Sequence, residues 1–231
     1  MKRSPAHVLW WSRVDRQAVI EAVQALVREP KLLGLIGDDA SGLAEAASLA
    51  QEELERLGRK CLRVSDLDVR LPTLKYRMLE LLNELVPLRQ PSAVPPTLLL
   101  ASSALSNVRA SLSNVLSSLS NPVSLIFDRL DSQECPRRNE VFELQELARV
   151  SNTPILFTGE SRCEWHSLAH GASLVQLQSF DRADVRACML SAPPLAAWNN
   201  ARIDGVLDRI FGNSTRVSPL EVFTHLKVLT T

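Results

Sequence analysis

Apolar residues recur at helical spacing from Arg16 to Arg28, at Val19, Ile20, Val23, Leu26 and Val27, and Pro30 closes the segment. A short continuous apolar run, 32–36, follows and reads as a buried strand. Residues 43–57 return to the helical period, with Gly58 at the place of a C-terminal cap. The pattern then predicts a strand over 60–64, a helix over 74–85 between Pro72 and Pro87, an irregular stretch over 88–96 and a helix within 98–119. Further strands are predicted at 123–128, 154–158 and 174–177, with helices at 139–149 and 181–190. Beyond Pro193-Pro194 only helical patterns remain, over 195–211 and 218–229. Short apolar strands alternating with helices of ten or more residues predict an α/β fold, a mainly parallel sheet covered on both faces. The predicted division is an α/β domain over 1–192 and a small helical appendage over 193–231.

Composition narrows the class without choosing a function. Of 231 residues, 45% are hydrophobic and 23% charged, as in ordinary globular proteins. Lys+Arg and Asp+Glu number 26 each, so net charge argues for neither a nucleic-acid nor a membrane surface. Cys61, Cys135, Cys163 and Cys188 form no C-x-x-C pair and are expected to be free thiols in a cytoplasmic protein. No apolar run reaches the roughly 18 residues of a membrane span, and the N-terminal residues lack a signal-peptide core.

Chemistry concentrates where the first strand turns into a helix. Gly37-Asp38-Asp39-Ala40-Ser41-Gly42-Leu43-Ala44 has the G-x-x-x-x-G spacing of a phosphate-binding loop, but Leu43 and Ala44 stand where the motif has lysine and a Mg²⁺-binding hydroxyl. Asp38 and Asp39 add negative charge. A carboxylate about 5 Å from phosphate, at an effective dielectric near 20, opposes binding by about 3 kcal/mol. The strand ending in Asp128 and the strand ending in Thr158 complete a candidate nucleotide pocket.

In this order the segments resemble the AAA+ and related signal-transduction P-loop NTPases of initiator-like type, over nearly the whole chain. Leu125 to Asp131 resembles Walker B, with Arg129 where many relatives carry a water-activating glutamate. Pro154 to Gly159 resembles the sensor-one strand, with Thr158 at its polar position, and Phe180 to Asp184 the junction to a helical lid. Gly212 to Arg216 resembles the turn bearing a sensor-two arginine. The resemblance implies a sheet of order 5-1-4-3-2 and nucleotide held between sheet and lid. Its implied pocket is Gly37 to Ala44 with Asp128, Thr158 and Arg216. A weaker likeness joins Val8 to Arg16 to the NTPase-like domain of the cellulose-secretion regulator BcsE.

Three functions stay open on these residues. The first is a regulatory adaptor on a degenerate ATPase scaffold that binds a protein partner, such as an active NTPase or a secretion or synthase complex. It has no required cofactor, residual ATP or ADP binding being left open. The second is a nucleotide-dependent ATPase or switch with an atypical Walker A, drawing positive charge from Lys31, Arg59, Arg162 or Arg216. The third is a DNA-associated accessory module, with Arg137-Arg138 as a basic spot. Cys163, His166 and His170 have zinc-like C-x-x-H-x-x-x-H spacing but no evident fourth ligand, and no metal is assigned. Trp10-Trp11 is expected to pack the N-terminal segment onto the sheet.

Overall fold

The computed structural model describes residues 17–38, 41–64, 73–85, 104–131, 135–191, 195, 197–217 and 222. The expectations for Trp10-Trp11, for Val8 to Arg16 and for most of 218–229 lie outside them. In chain order the elements are α1 (Gln17–Arg28), β1 (Leu32–Gly37), α2 (Leu43–Arg56), β2 (Lys60–Val64), α3 (Leu74–Leu85) and α4 (Leu105–Ser117). There follow β3 (Val123–Phe127), α5 (Arg138–Ser151), β4 (Ile155–Glu160), the single turn α6 (Trp165–Leu168), β5 (Ser173–Gln176), α7 (Arg182–Ser191) and α8 (Asn200–Phe211).

All four strand pairings are parallel and the sheet runs β2-β3-β4-β1-β5, the expected order. The period of two in a strand sorts its side chains onto two faces. Leu32, Ile36, Leu125, Phe127, Ile155 and Phe157 join the core under α3, α4 and α5. Leu33, Leu35, Ile126 and Leu156 join the core under α1 and α2. Gly34 faces the first layer, where a Cβ would lie 2.5 Å from the Phe157 ring, so this strand can pack only as glycine there.

Local signals set the helix ends. Gly58 takes φ +79° after α2, and Arg59 N–H returns to the Leu54 carbonyl at 3.1 Å, closing the helix as a glycine C-cap does. Asp181 and Asp184 cap α7 reciprocally, each carboxylate accepting from the other's backbone N–H at 2.9 and 3.0 Å. A separate apolar cluster joins α7 and α8 through Val185, Met189, Ile203, Leu207 and Phe211, with Phe180 and Val217 bridged beside it. No described helix is long and apolar enough to cross a membrane.

The cysteines correct one expectation. Cys135 and Cys163 are disulfide-bonded, their Cα atoms 5.6 Å apart, while Cys61 keeps a free thiol. A sequence separation of 28 hides the contact in the sequence. Adjacent β3 and β4 bring the connections that follow them to the same end of the sheet.

Candidate functional site

The loop after β1 is folded against itself. Ser41 is fully buried, and both its N–H and its hydroxyl donate to the Asp38 carbonyl, at 2.8 and 2.7 Å. It packs so closely on Gly37 that a Cβ there would lie 2.0 Å from the Ser41 Oγ. Gly42, at φ 74° and ψ 45°, makes the left-handed turn into α2. Asp38 is exposed, whereas Asp39 and Ala40 lie outside the described residues.

Leu43, in the lysine position, points inward: it is 5% exposed and belongs to the core with Val19, Val23, Leu33 and Leu177. Ala44 offers no hydroxyl, and its carbonyl accepts from Ser48 Oγ at 2.9 Å.

The even-numbered positions of β2, β3 and β4 do not all share one face, because each strand starts its own register. Arg63, beside Ile126 in the β2–β3 pairing, faces α2, and so do Asp128 and Thr158 just beyond the core positions Ile126 and Leu156. Arg63 Nε donates to Asp128 Oδ2 at 2.6 Å, its Nη1 to Ser48 Oγ at 3.0 Å, and its Nη2 lies 3.4 Å from the Ala44 carbonyl. Thr158 Oγ1 donates to the other carboxylate oxygen, Asp128 Oδ1, at 3.1 Å. Both oxygens of Asp128 are therefore engaged, and its side chain is 8% exposed.

Behind the carboxylate, buried Arg77 of α3 donates to the carbonyls of Asp128 and Arg129 at 2.6 and 3.2 Å. Arg129 sits in the left-handed region at φ 50°, its N–H donating to Thr158 Oγ1 at 2.7 Å. This contact turns its side chain away from Asp128 to pair with Glu160. Glu160 also pairs with Arg162 at 3.0 Å, and Arg162 donates to the Asp131 carbonyl at 2.8 Å.

The structure thus brings Gly37, Ser41, Gly42, Ala44, Asp128 and Thr158 to one end of the sheet. Arg216 is exposed and donates to the Ser179 carbonyl at 3.3 Å, at the Phe180–Val217 bridge. Lys31 pairs with Glu29, and Arg59 binds Ser124 Oγ and the Val123 carbonyl at the opposite, amino end of β3. Cys163 is spent in the disulfide, and no group of three metal-ligating side chains occurs among the described residues. Arg137 and Arg138 are exposed at the start of α5.

Arg63 was not among the residues singled out from the sequence. Its signal was an arginine inside an otherwise apolar strand, one position before the end of β2 and in register with the strand that ends at Asp128.

In a working P-loop the hydroxyl after the lysine and the Walker B aspartate share one Mg²⁺. Here the Arg63 guanidinium joins the same two elements, α2 and the end of β3. Mg²⁺ is ordinarily held by one or two protein oxygens with waters and phosphate, and the carboxylate that would serve, Asp128, has both oxygens engaged by Arg63 and Thr158. These acceptors, the Asp128 carboxylate, the Ser48 hydroxyl and the Ala44 carbonyl, are met by the Arg63 guanidinium.

No protein-family profile matches the sequence, and no curated protein matches it significantly. Solved structures do match. A Cdc6 protein of Pyrobaculum aerophilum superposes on 95% of this chain with TM-score 0.61 at 11% identity. The fold is that of the AAA+ and origin-recognition P-loop NTPases. A Walker-type ATPase of Pyrococcus abyssi matches 94% of the chain with TM-score 0.58 at 13% identity. A chain of the HORMA:CdnC:Trip13 complex of E. coli MS115-1 matches 99% with TM-score 0.60 at 12% identity. This AAA+-like chain spans 85% of that last structure, 68% of the ATPase and 61% of Cdc6. The likeness is one of fold.

Proposed function

We propose that the chain is a regulatory adaptor: an AAA+-like scaffold that works through contact with a protein partner and does not turn over ATP. The observation that carries this reading is the Arg63 guanidinium on Asp128, in the place where the fold's ATPases hold their metal. Phosphoryl transfer works by positioning and by neutralising charge on the transferred group, so loss of the lysine, hydroxyl and metal seat together removes its means. Leu43 adds to this, since a leucine in the core cannot be exchanged for a lysine at the loop without unpacking α2 from α1. The partner fits the class of an active NTPase or a larger secretion or synthase assembly. One fold relative belongs to a three-protein complex, in keeping with a role in assembly. The C-terminal segment 193–231, which includes the helix Asn200–Phe211, serves in this reading as a lid-like docking element.

Calorimetric titration of the whole chain with ATP and Mg²⁺ tests the proposal, with Asp128→Ala alongside. Silence at millimolar ATP supports the adaptor. Micromolar binding that disappears in Asp128→Ala overturns it in favour of a nucleotide-dependent switch.

A further inference from the structure

We propose that Cys135 and Cys163 form a reversible redox clasp, opened by a dithiol reductant, on the two connections that carry the candidate site. The disulfide ties the connection from β3 to α5, which begins with Asp128 and Arg129, to the turn after β4, which holds Glu160 and Arg162. Its two ends differ in access. Cys135 is exposed, whereas Cys163 is 5% exposed and sits in the core with Trp165 and Ala169. An external thiolate therefore reaches the bond from the Cys135 side.

The inner end faces a buried carboxylate. Asp131 is fully buried, its Oδ2 accepts from the Glu160 N–H at 2.8 Å, and its Oδ1 has no hydrogen-bond partner. Oδ2 lies 3.8 Å from the Cys163 sulfur. A disulfide sulfur carries no hydrogen to give. A thiol does, so reduction places a donor within reach of Oδ2, a carboxylate oxygen that can accept a second hydrogen bond beside that from Glu160 N–H.

The exchange balances as follows. One thiolate of the reductant attacks Cys135 Sγ, the S–S bond breaks, and its electron pair passes to Cys163, which takes a proton and donates it toward Asp131. The second thiol of the reductant loses its proton and attacks the reductant's own sulfur in the mixed disulfide, releasing Cys135, which is protonated from solvent. The reductant leaves as a disulfide and the protein gains two thiols. The start of α5, with Arg137 and Arg138, is then no longer fastened to the β4–α6 turn.

The test uses the full chain in buffers of reduced and oxidised dithiothreitol, with alkylation and peptide mapping, and with amide exchange of the two forms. Reversible Cys135–Cys163 linkage is expected, with faster exchange at Arg137 to Glu140 on reduction. Cys135→Ser, at an exposed position, should show that faster exchange without reductant. Asp131→Asn, which weakens the acceptor, should require about a fivefold higher ratio of reduced to oxidised reagent for half-reduction. The proposal is overturned by absence of the linkage, by a linkage that resists millimolar dithiol in the folded chain, or by exchange unchanged in both reduced protein and Cys135→Ser. Should Asp131→Asn not fold, the exchange comparison decides. None of these outcomes depends on whether ATP binds.

Discussion

Arg63 and Asp128 lie 65 residues apart in the chain, yet the guanidinium Nε and the carboxylate Oδ2 are 2.6 Å apart at the ends of adjacent strands. Each holds the other in place. Asp128 alone would leave a nearly buried carboxylate with one hydroxyl donor, and Arg63 alone would leave a cation beside the α2 backbone. Arg63→Ala should lower stability by about 2 kcal/mol, and Arg63→Ala with Asp128→Asn should cost less than the sum of the single changes. Urea denaturation of the four proteins measures the coupling.

Restoring the missing lysine should not restore a nucleotide site. Leu43 is core, so Leu43→Lys places an ammonium among Val19, Val23 and Leu33, and stability should fall by roughly 2–4 kcal/mol. Thermal denaturation should show the loss. Titration of the variant with ATP and Mg²⁺ should stay silent as long as Arg63 remains on Asp128.

The disulfide closes a loop across the middle of the fold. With the cysteines at a sequence separation of 28, chain entropy predicts that reduction costs roughly 3–4 kcal/mol of stability. Guanidinium denaturation with and without reductant reads this directly, as a drop in midpoint at similar slope.

Two titrating groups outside the site shape the pH dependence. The Arg56 guanidinium, helped by the Gln24 amide, holds the Glu53 carboxyl below its ordinary 4.5 against the opposing effect of burial. A depressed folded value contributes stability above the unfolded value, which is lost as pH falls through the folded one. Glu53→Gln should therefore flatten the acid limb of a stability profile below about pH 4.5 and leave neutral pH less affected.

Burial, with the Glu55 charge adding, pushes the Cys61 thiol up from 9.0 to about 12. Here the sign reverses: the contribution is complete below pH 9 and is lost as pH rises towards 12. At pH 8 the native thiolate population should be roughly a thousandfold below that of an ordinary cysteine. Native Cys61 should thus resist alkylation that is rapid once the chain is unfolded in urea, and timed labelling with mass spectrometry checks it.

Most of the scaffold was legible in residue order. The strand 60–64 and the helix 74–85 match the periodicity residue for residue, and other element ends differ by few positions where capping signals are weak. The strand Leu32–Gly37 and the glycines of the turn after it were readable because a period of two, a period of 3.6 and a positive φ are local properties. The segment 98–119 was legible only as helical; its helix occupies 105–117.

What residue order determined, then, is the alternation of strands and helices, the phosphate-loop spacing, and the absence from it of lysine and hydroxyl. Only tertiary structure decided that Arg63 pairs with Asp128, that Leu43 turns into the core, that Arg129 is drawn to Glu160, and that Cys135 meets Cys163. Each of these depends on which strands lie side by side. Parallel neighbours are joined through intervening helices, so the partners are tens of residues apart and their meeting leaves no periodic trace in the sequence.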